Sequence, residues 1–385
     1  MTELPDLSIN FLLHSYRAGS QTPSQVLADI RSRASELNDE NIWIHLLSEA
    51  ETAPYLAALS QHEPDELPLY GIPFAIKDNI DLAGIPTTAG CPDYAYTPAH
   101  SASVVERLLL AGALPVGKSN LDQFATGLTG TRSPYGATRN SFNPAYVSGG
   151  SSSGSAVAVA RALCSFALGT DTAGSGRVPA AFNNLVGIKP TRGLLSTRGV
   201  VPACRSLDCV TLFSLDCSDA AAILDVVTAT DPDDPFSRPA QPGPVPAGRF
   251  RFGLPEDGQL EFFGNTGAEQ LFRNTVEQLL SLGGEAVKID YQPFMDAARL
   301  LYEGPWVAER YTAIETFIEK QPESLLPVTH KIIAPGKDIS AVSAFKASYK
   351  LQALKQVTDR ILGTLDFVLT PTAGNIYTID AVNND

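Results

Sequence analysis

Four short stretches of this chain carry residue types that could do chemistry. GALPVGKS, Gly112 to Ser119, fits the G-x-x-x-x-G-K-[ST] pattern whose glycine-rich turn cradles nucleotide phosphates. GSSSG, Gly150 to Gly154, fits the G-x-S-x-G elbow that presents a nucleophilic serine in α/β hydrolases. Lys77 in GIPFAIKDN and Ser175 in GTDTAGSGRVPAA offer an amine and a hydroxyl outside any such pattern. Each has a plain structural reading as well. A lysine closing an apolar strand usually snorkels to solvent, a Gly/Ser run is usually a turn, and a serine before a helix is usually a cap. The five histidines (His14, His45, His62, His100, His330) leave no imidazole between 100 and 330 to serve the serines there. Their scatter suggests no metal site, and no cofactor is expected.

The surrounding elements sort these stretches. The first 60 residues read as helical, with Thr22 capping and Pro23 opening a helix after Gly19. Alternation follows: strand PFAIK, helix SASVVERLLLAG with a capping box from Ser103 to Glu106, strand ALPVG, small-residue helix SAVAVARAL, strand CSFALG, and a helix opening at VPAAFNN. A P-loop needs a strand before its turn and a helix after it, and here the order is reversed. Gly112 closes a helix, ALPV is strand-like, and Pro115 removes one N–H from any phosphate cradle. GALPVGKS therefore reads as a helix end, a strand and a turn. The elbow fares little better, because RNSFNPAYVSG, which leads into it, reads as irregular loop.

Strands alternating with helices argue for an α/β fold around one large sheet. The segment 231–248 carries six prolines and reads as a loop joining lobes of a single domain over 1–385. The divisions expected are N-terminal helices 1–60, a core at 65–225 and a second lobe at 249–385, with strands RFRFGLP, EAVKI and DFVLT. A net charge of −14 argues against nucleic acid or an anionic membrane as partner. No apolar run is long enough for a membrane span, the N-terminus lacks a basic leader, and five cysteines without C-x-x-C spacing suit a reducing, cytoplasmic setting.

Longer segments tie Lys77 and the serines together. GIPFAIKDNIDLAGIPTTAG, HSASVVERLLLAGALPVGKSNLDQFATG, TRNSFNPAYVSGGSSSGSAVAVA and ALGTDTAGSGRVPAAFNNLVGIKPTRG resemble, in order, spacing and flanking sequence, the amidase signature family. The resemblance covers about residues 20 to 225 and takes in GALPVGKS as scaffold. It implies a mixed central sheet covered by helices on both faces, and a Ser–cis-Ser–Lys triad. In that triad Ser175 is the nucleophile, Ser151 the bridging serine after a cis Gly150–Ser151 peptide, and Lys77 the base. The chemistry is sound on its own terms. A serine hydroxyl needs a base to become a nucleophile, and a lysine can be that base only if its surroundings keep it neutral. The small residues of the loop 171–175 let N–H groups approach a carbonyl oxygen, so Thr172, Ala173 and Gly174 are the oxyanion-hole candidates. Asp171 and Arg177 are expected to hold that loop.

DTAGSGRVPAA and CRSLDCV depart from the pattern of general amidases and tRNA-linked amidotransferases and, with LLYEGPWVAERYTAIETFI further along, resemble that of allophanate hydrolases. The implied substrate is a small anionic amide, allophanate (urea-1-carboxylate). On so acidic a chain such an anion needs a fixed cation. The resemblance places Tyr302, Arg310 and the backbone of Gly127 at the substrate, with Gly304-Pro305 separating Tyr302 and Arg310 onto different helices. It further implies a homodimer and functional coupling to a urea carboxylase. Another amidase or amidotransferase A-type subunit, and a catalytically silent scaffold, remain as alternatives. The family's domains usually run past DFVLTPT, so a further segment is expected beyond TIDAVNND.

Overall fold

A computed structural model of the protein describes residues 4–241, 243 and 248–384. The chain forms two compact units. Residues up to 240, 315–330 and the segment from 377 onward make the first, and the intervening segments make the second.

The first unit opens with helices α1 (Ile9–Arg17) and α2 (Pro23–Glu36). The expected Thr22 cap and Pro23 start are both present, with a full capping box to Gln25. Then come β1 (Trp43–Leu46), α3 (Glu49–Leu59), β2 (Pro73–Lys77), α4 (Ser103–Leu110), β3 (Leu114–Ser119), α5 (Ser153–Ala160), β4 (Phe166–Thr170), α6 (Arg177–Phe182), β5 (Val186–Ile188), β6 (Val210–Ser214) and α7 (Cys217–Val227). The six strands form one mixed sheet in the order β1-β3-β2-β4-β6-β5. β3, β2 and β4 run parallel, while β1, β6 and β5 pair antiparallel at the two sides. The sheet centre is dry: Phe74 of β2 stacks on Phe166 of β4 with ring centroids 5.3 Å apart, and Leu12 and Ile30 of the first two helices are fully buried.

Two local expectations fail for visible reasons. The first 60 residues are not all helical, because WIHL pairs with β3 as an edge strand. Four residues are too few for a period to declare itself. The capping box at Ser103 does not form: Ala102 is the cap residue and Ser103 lies inside the helix. Glu106, the other half of that box, pairs instead with Arg198 at 3.0 Å.

GALPVGKS folds as its elements suggested. Gly112 turns the chain with φ +89 after α4, and the rest is β3. Lys118 is fully buried, ion-paired to Asp78 at 2.8 Å and donating to Thr87 Oγ1 at 2.9 Å. It is a bolt between strand ends. The proline-rich segment is described only in part. Asp231 and Asp234 tie its start to Ser196, Thr197 and Arg198, whereas Pro242 and residues 244–247 lie outside the described residues.

The second unit contains a parallel sheet of its own, ordered β8-β7-β9, built from β7 (Phe250–Pro255), β8 (Gly284–Ile289) and β9 (Phe367–Val368). The three strands expected after residue 249 are therefore present, but they pair with one another. Phe252 and Phe367 stack at 5.8 Å across β7 and β9. The helices of this part are α8 (Thr266–Ser281), α9 (Gln292–Glu303), α10 (Trp306–Lys320), α11 (Pro327–Ile333) and α12 (Ala341–Leu362). The chain passes through the first unit from within α10 to within α11 (residues 315–330), returns to the second, and ends in the first with α13 (Ile379–Asn383). No helix among the described residues is long and apolar enough to cross a membrane.

Candidate active site

β2 and β4 are parallel neighbours, so their last residues, Lys77 and Thr170, emerge at the same end of the sheet. Lys77 is fully buried. Its Nζ donates to Ser151 Oγ at 2.7 Å and to Thr170 Oγ1 at 2.8 Å. Asn79 Nδ2 also donates to Thr170 Oγ1, at 3.3 Å. Burial lowers the Lys77 pKa to about 7, against the opposing pull of the carboxylates of Asp122, Asp171 and Asp208. An amine near pH 7 is neutral in a usable fraction of molecules, the condition a lysine base must meet.

Ser151 reaches Lys77 because the helix behind it lies unusually close to its neighbours. The residues of α5, SGSAVAVA, are small, and all but the last are buried. A side chain on Gly154 would overlap the Ile42 carbonyl oxygen and stand 2.6 Å from Asn120 N. The turn before this helix contains the expected cis Gly150–Ser151 peptide. It is pinned throughout: Gly150 N donates to Leu128 O at 2.9 Å, Asp122 N to Ser151 O at 3.1 Å, and Ser152 N to Ser175 O at 3.1 Å. Ser152 Oγ adds a bond to Thr170 O at 3.1 Å. The Gly/Ser run is thus a rigid, buried turn that joins the Lys77 and Ser175 segments.

Ser175 sits at the mouth of the next loop, 6% exposed, with its hydroxyl 3.5 Å from the carbonyl oxygen of Gly127. The buried carboxylate of Asp171 organises this loop. It accepts N–H groups from Gly174 at 2.6 Å, Gly176 at 3.1 Å and Arg177 at 3.1 Å, and both ends of the Arg177 guanidinium at 2.9 and 2.8 Å. Burial alone would raise its pKa, but Arg177 and the loop N–H groups outweigh burial and hold it below the ordinary carboxylate value. Thr172 is anchored separately, its hydroxyl donating to Asp208. Asp208 also takes Ala203 N at 2.8 Å and Cys204 N at 3.1 Å. Of the three oxyanion-hole candidates, Gly174 donates its N–H to Asp171.

Within the first unit Lys77 therefore contacts Ser151 and Ser175 contacts Gly127, and the Ser152 N–Ser175 O bond links the two pairs. Tyr302, near the end of α9, and Arg310, on α10, belong to the second unit, and Gly304 ends one helix before the other begins. Sequence reasoning passed over Thr170, Asn79, Asp122 and Asp208. The available signal was polar residues at the ends of apolar strands: Thr170 closes CSFALGT and Asn79 follows PFAIKD.

The family model Amidase matches residues 25–380. The urea amidolyase of Saccharomyces cerevisiae is 47% identical over 359 residues, which is 92% of this chain and 20% of that protein. A glutamyl-tRNA(Gln) amidotransferase subunit of Deinococcus deserti is 38% identical over 343 residues, covering 86% of this chain and 67% of that one. Among solved structures, Kluyveromyces lactis allophanate hydrolase superimposes with a TM-score of 0.91 at 42% identity, over 99% of this chain and 63% of that chain. The chain thus spans about a fifth of the yeast urea amidolyase and less than two thirds of the solved allophanate hydrolase. With the model matched along nearly its whole length and the site built from the same segments, the chain belongs to the Amidase family.

Proposed function

We propose that this chain hydrolyses allophanate by acyl transfer through Ser175, Ser151 and Lys77. The observation that carries the reading is the buried Lys77 amine, in contact with Ser151, within a chain 47% identical to a urea amidolyase. Thr170 Oγ1 accepts N–H groups from both Asn79 and Lys77, which turns the lone pair of a neutral Lys77 toward Ser151. Ser151 then passes its proton to Lys77 and takes one from Ser175, whose oxygen attacks the amide carbonyl. Charge developing on the carbonyl oxygen is assigned to the small-residue loop of Thr172, Ala173 and Gly174. The relay reverses to protonate the departing ammonia, and water, activated the same way, releases the carboxylated product from Ser175.

Arg310 and Tyr302 are assigned to the substrate carboxylate, and the Gly127 backbone to its amide end. The support is the resemblance of their segments and the need of a −14 chain for a local cation. We further assign both units to one amidase domain acting as a cytoplasmic homodimer, with its substrate supplied by a urea carboxylase. The urea amidolyase relatives, of which this chain matches only a part, motivate that coupling. The deciding experiment compares ammonia release by the isolated chain from allophanate, biuret, malonamate and simple amides. Preference for allophanate supports the reading. The 38% identity to an amidotransferase component favours a second one, under which the isolated chain releases no ammonia without partner subunits.

A further inference from the structure

Asp122 follows β3 and is fully buried. Its carboxylate accepts N–H groups from Gly130 at 3.1 Å and Arg132 at 2.9 Å, and its own N–H donates to the Ser151 carbonyl at 3.1 Å. One residue thereby ties the loop carrying Gly127 to the Gly150–Ser151 turn. The fit leaves no slack: a Cβ on Gly150 would overlap Asp122 Oδ2, and one on Gly127 would stand 2.5 Å from it. Glycine at both positions is what admits the carboxylate. Each tethered segment carries a group of the site, since Gly127 O lies 3.5 Å from Ser175 Oγ and Ser151 Oγ receives Lys77.

The carboxylates of Asp122, Asp171 and Asp208 all favour the charged form of Lys77 against its burial. They differ in their own partners. Asp171 is paired with the Arg177 guanidinium, and Asp208 takes the Thr172 hydroxyl besides main-chain N–H groups. Among the described residues Asp122 accepts only neutral main-chain N–H groups, so no cation cancels its charge. We propose that Asp122 is a positioning residue of the triad, fixing Ser151 and Gly127 against one another and supplying a carboxylate, uncancelled by any ion pair, that supports the Lys77 ammonium. This rests on the Lys77–Ser151–Ser175 reading above.

The test is the pH dependence of kcat/KM for ammonia release by the full chain, in wild type, Asp122→Asn and Asp122→Glu, with melting curves for each. Without the carboxylate the Lys77 ammonium is less supported, so the ascending limb of Asp122→Asn moves to lower pH by about half a unit or more. Asp122→Glu keeps the limb in place but, with its longer side chain displacing the tethers, loses at least about tenfold in kcat. A limb that moves in neither variant, or equally in both, overturns the proposal. So does failure of both variants to fold, which would make Asp122 a folding residue only. A wild-type profile with no ascending limb near neutrality would instead remove the triad reading itself.

Discussion

Lys77 carries the chemical argument, because burial moves its amine from an ordinary lysine value to about 7. The sign of the pH effect follows directly. The base form exists above that value, so kcat/KM should rise with pH through an ascending limb centred near 7 and level off above it. A flat profile from pH 5 to 9 would remove Lys77 as the base. At this scale the sequence was informative about residue types and silent about contacts. Lys77, Ser151 and Ser175 could be named from their segments. The acceptor role of Thr170 and the charges of Asp122 and Asp208 depend on which strand ends are neighbours, and no local pattern encodes that. Gly174 shows the converse: its type suits an oxyanion loop, yet its N–H serves Asp171.

Element by element, the helix α5 shows how packing reverses a propensity. Replacing glycine by alanine inside a helix usually stabilises by up to about 1 kcal/mol. Here a methyl group on Gly154 would overlap the Ile42 carbonyl, so Gly154→Ala should destabilise the fold by roughly 1–3 kcal/mol, read as a lower denaturation midpoint. A second prediction concerns α1. The Ile9 N–H at its start donates to Asp219 on α7 at 3.2 Å. Burial raises the Asp219 pKa to about 6; the Ile9 N–H pulls it down, while the charges of Asp216 and Asp6 push it up. The folded state then keeps a proton that the unfolded state loses near pH 4, so stability falls as pH rises from about 4 to 6. Asp219→Asn, which retains an acceptor for Ile9, should melt roughly 2–6 °C higher at pH 7.5 and be indistinguishable near pH 3.5. Equal shifts at both pH values would contradict this. The helix α2 was legible because its cap and its proline start agreed, and β2 because it is an unbroken apolar run. Short edge strands such as β1 and β5 were not, since their identity comes from the partner they pair with.

For the whole molecule, an α/β architecture was readable from the alternation of strands and helices, and the mixed sheet from the resemblance to the amidase signature family. The separate pairing of β7, β8 and β9 was not, because alternation says nothing about which strands share a sheet. The acidic balance has a functional corollary: an anionic substrate depends on a local cation, the role assigned to Arg310. Arg310→Ala should raise KM for allophanate about tenfold or more, with a smaller change in kcat. An unchanged KM would remove that role. The central claim is that Ser175, served by Ser151 and Lys77, cleaves the amide. It is tested most directly by ammonia release from allophanate, measured for the wild-type chain and for Ser175→Ala side by side, with melting curves to establish that both are folded. The account predicts release by the wild type and loss of at least about a thousandfold in the variant, at an unchanged melting temperature. Substantial turnover by a folded Ser175→Ala chain would contradict it.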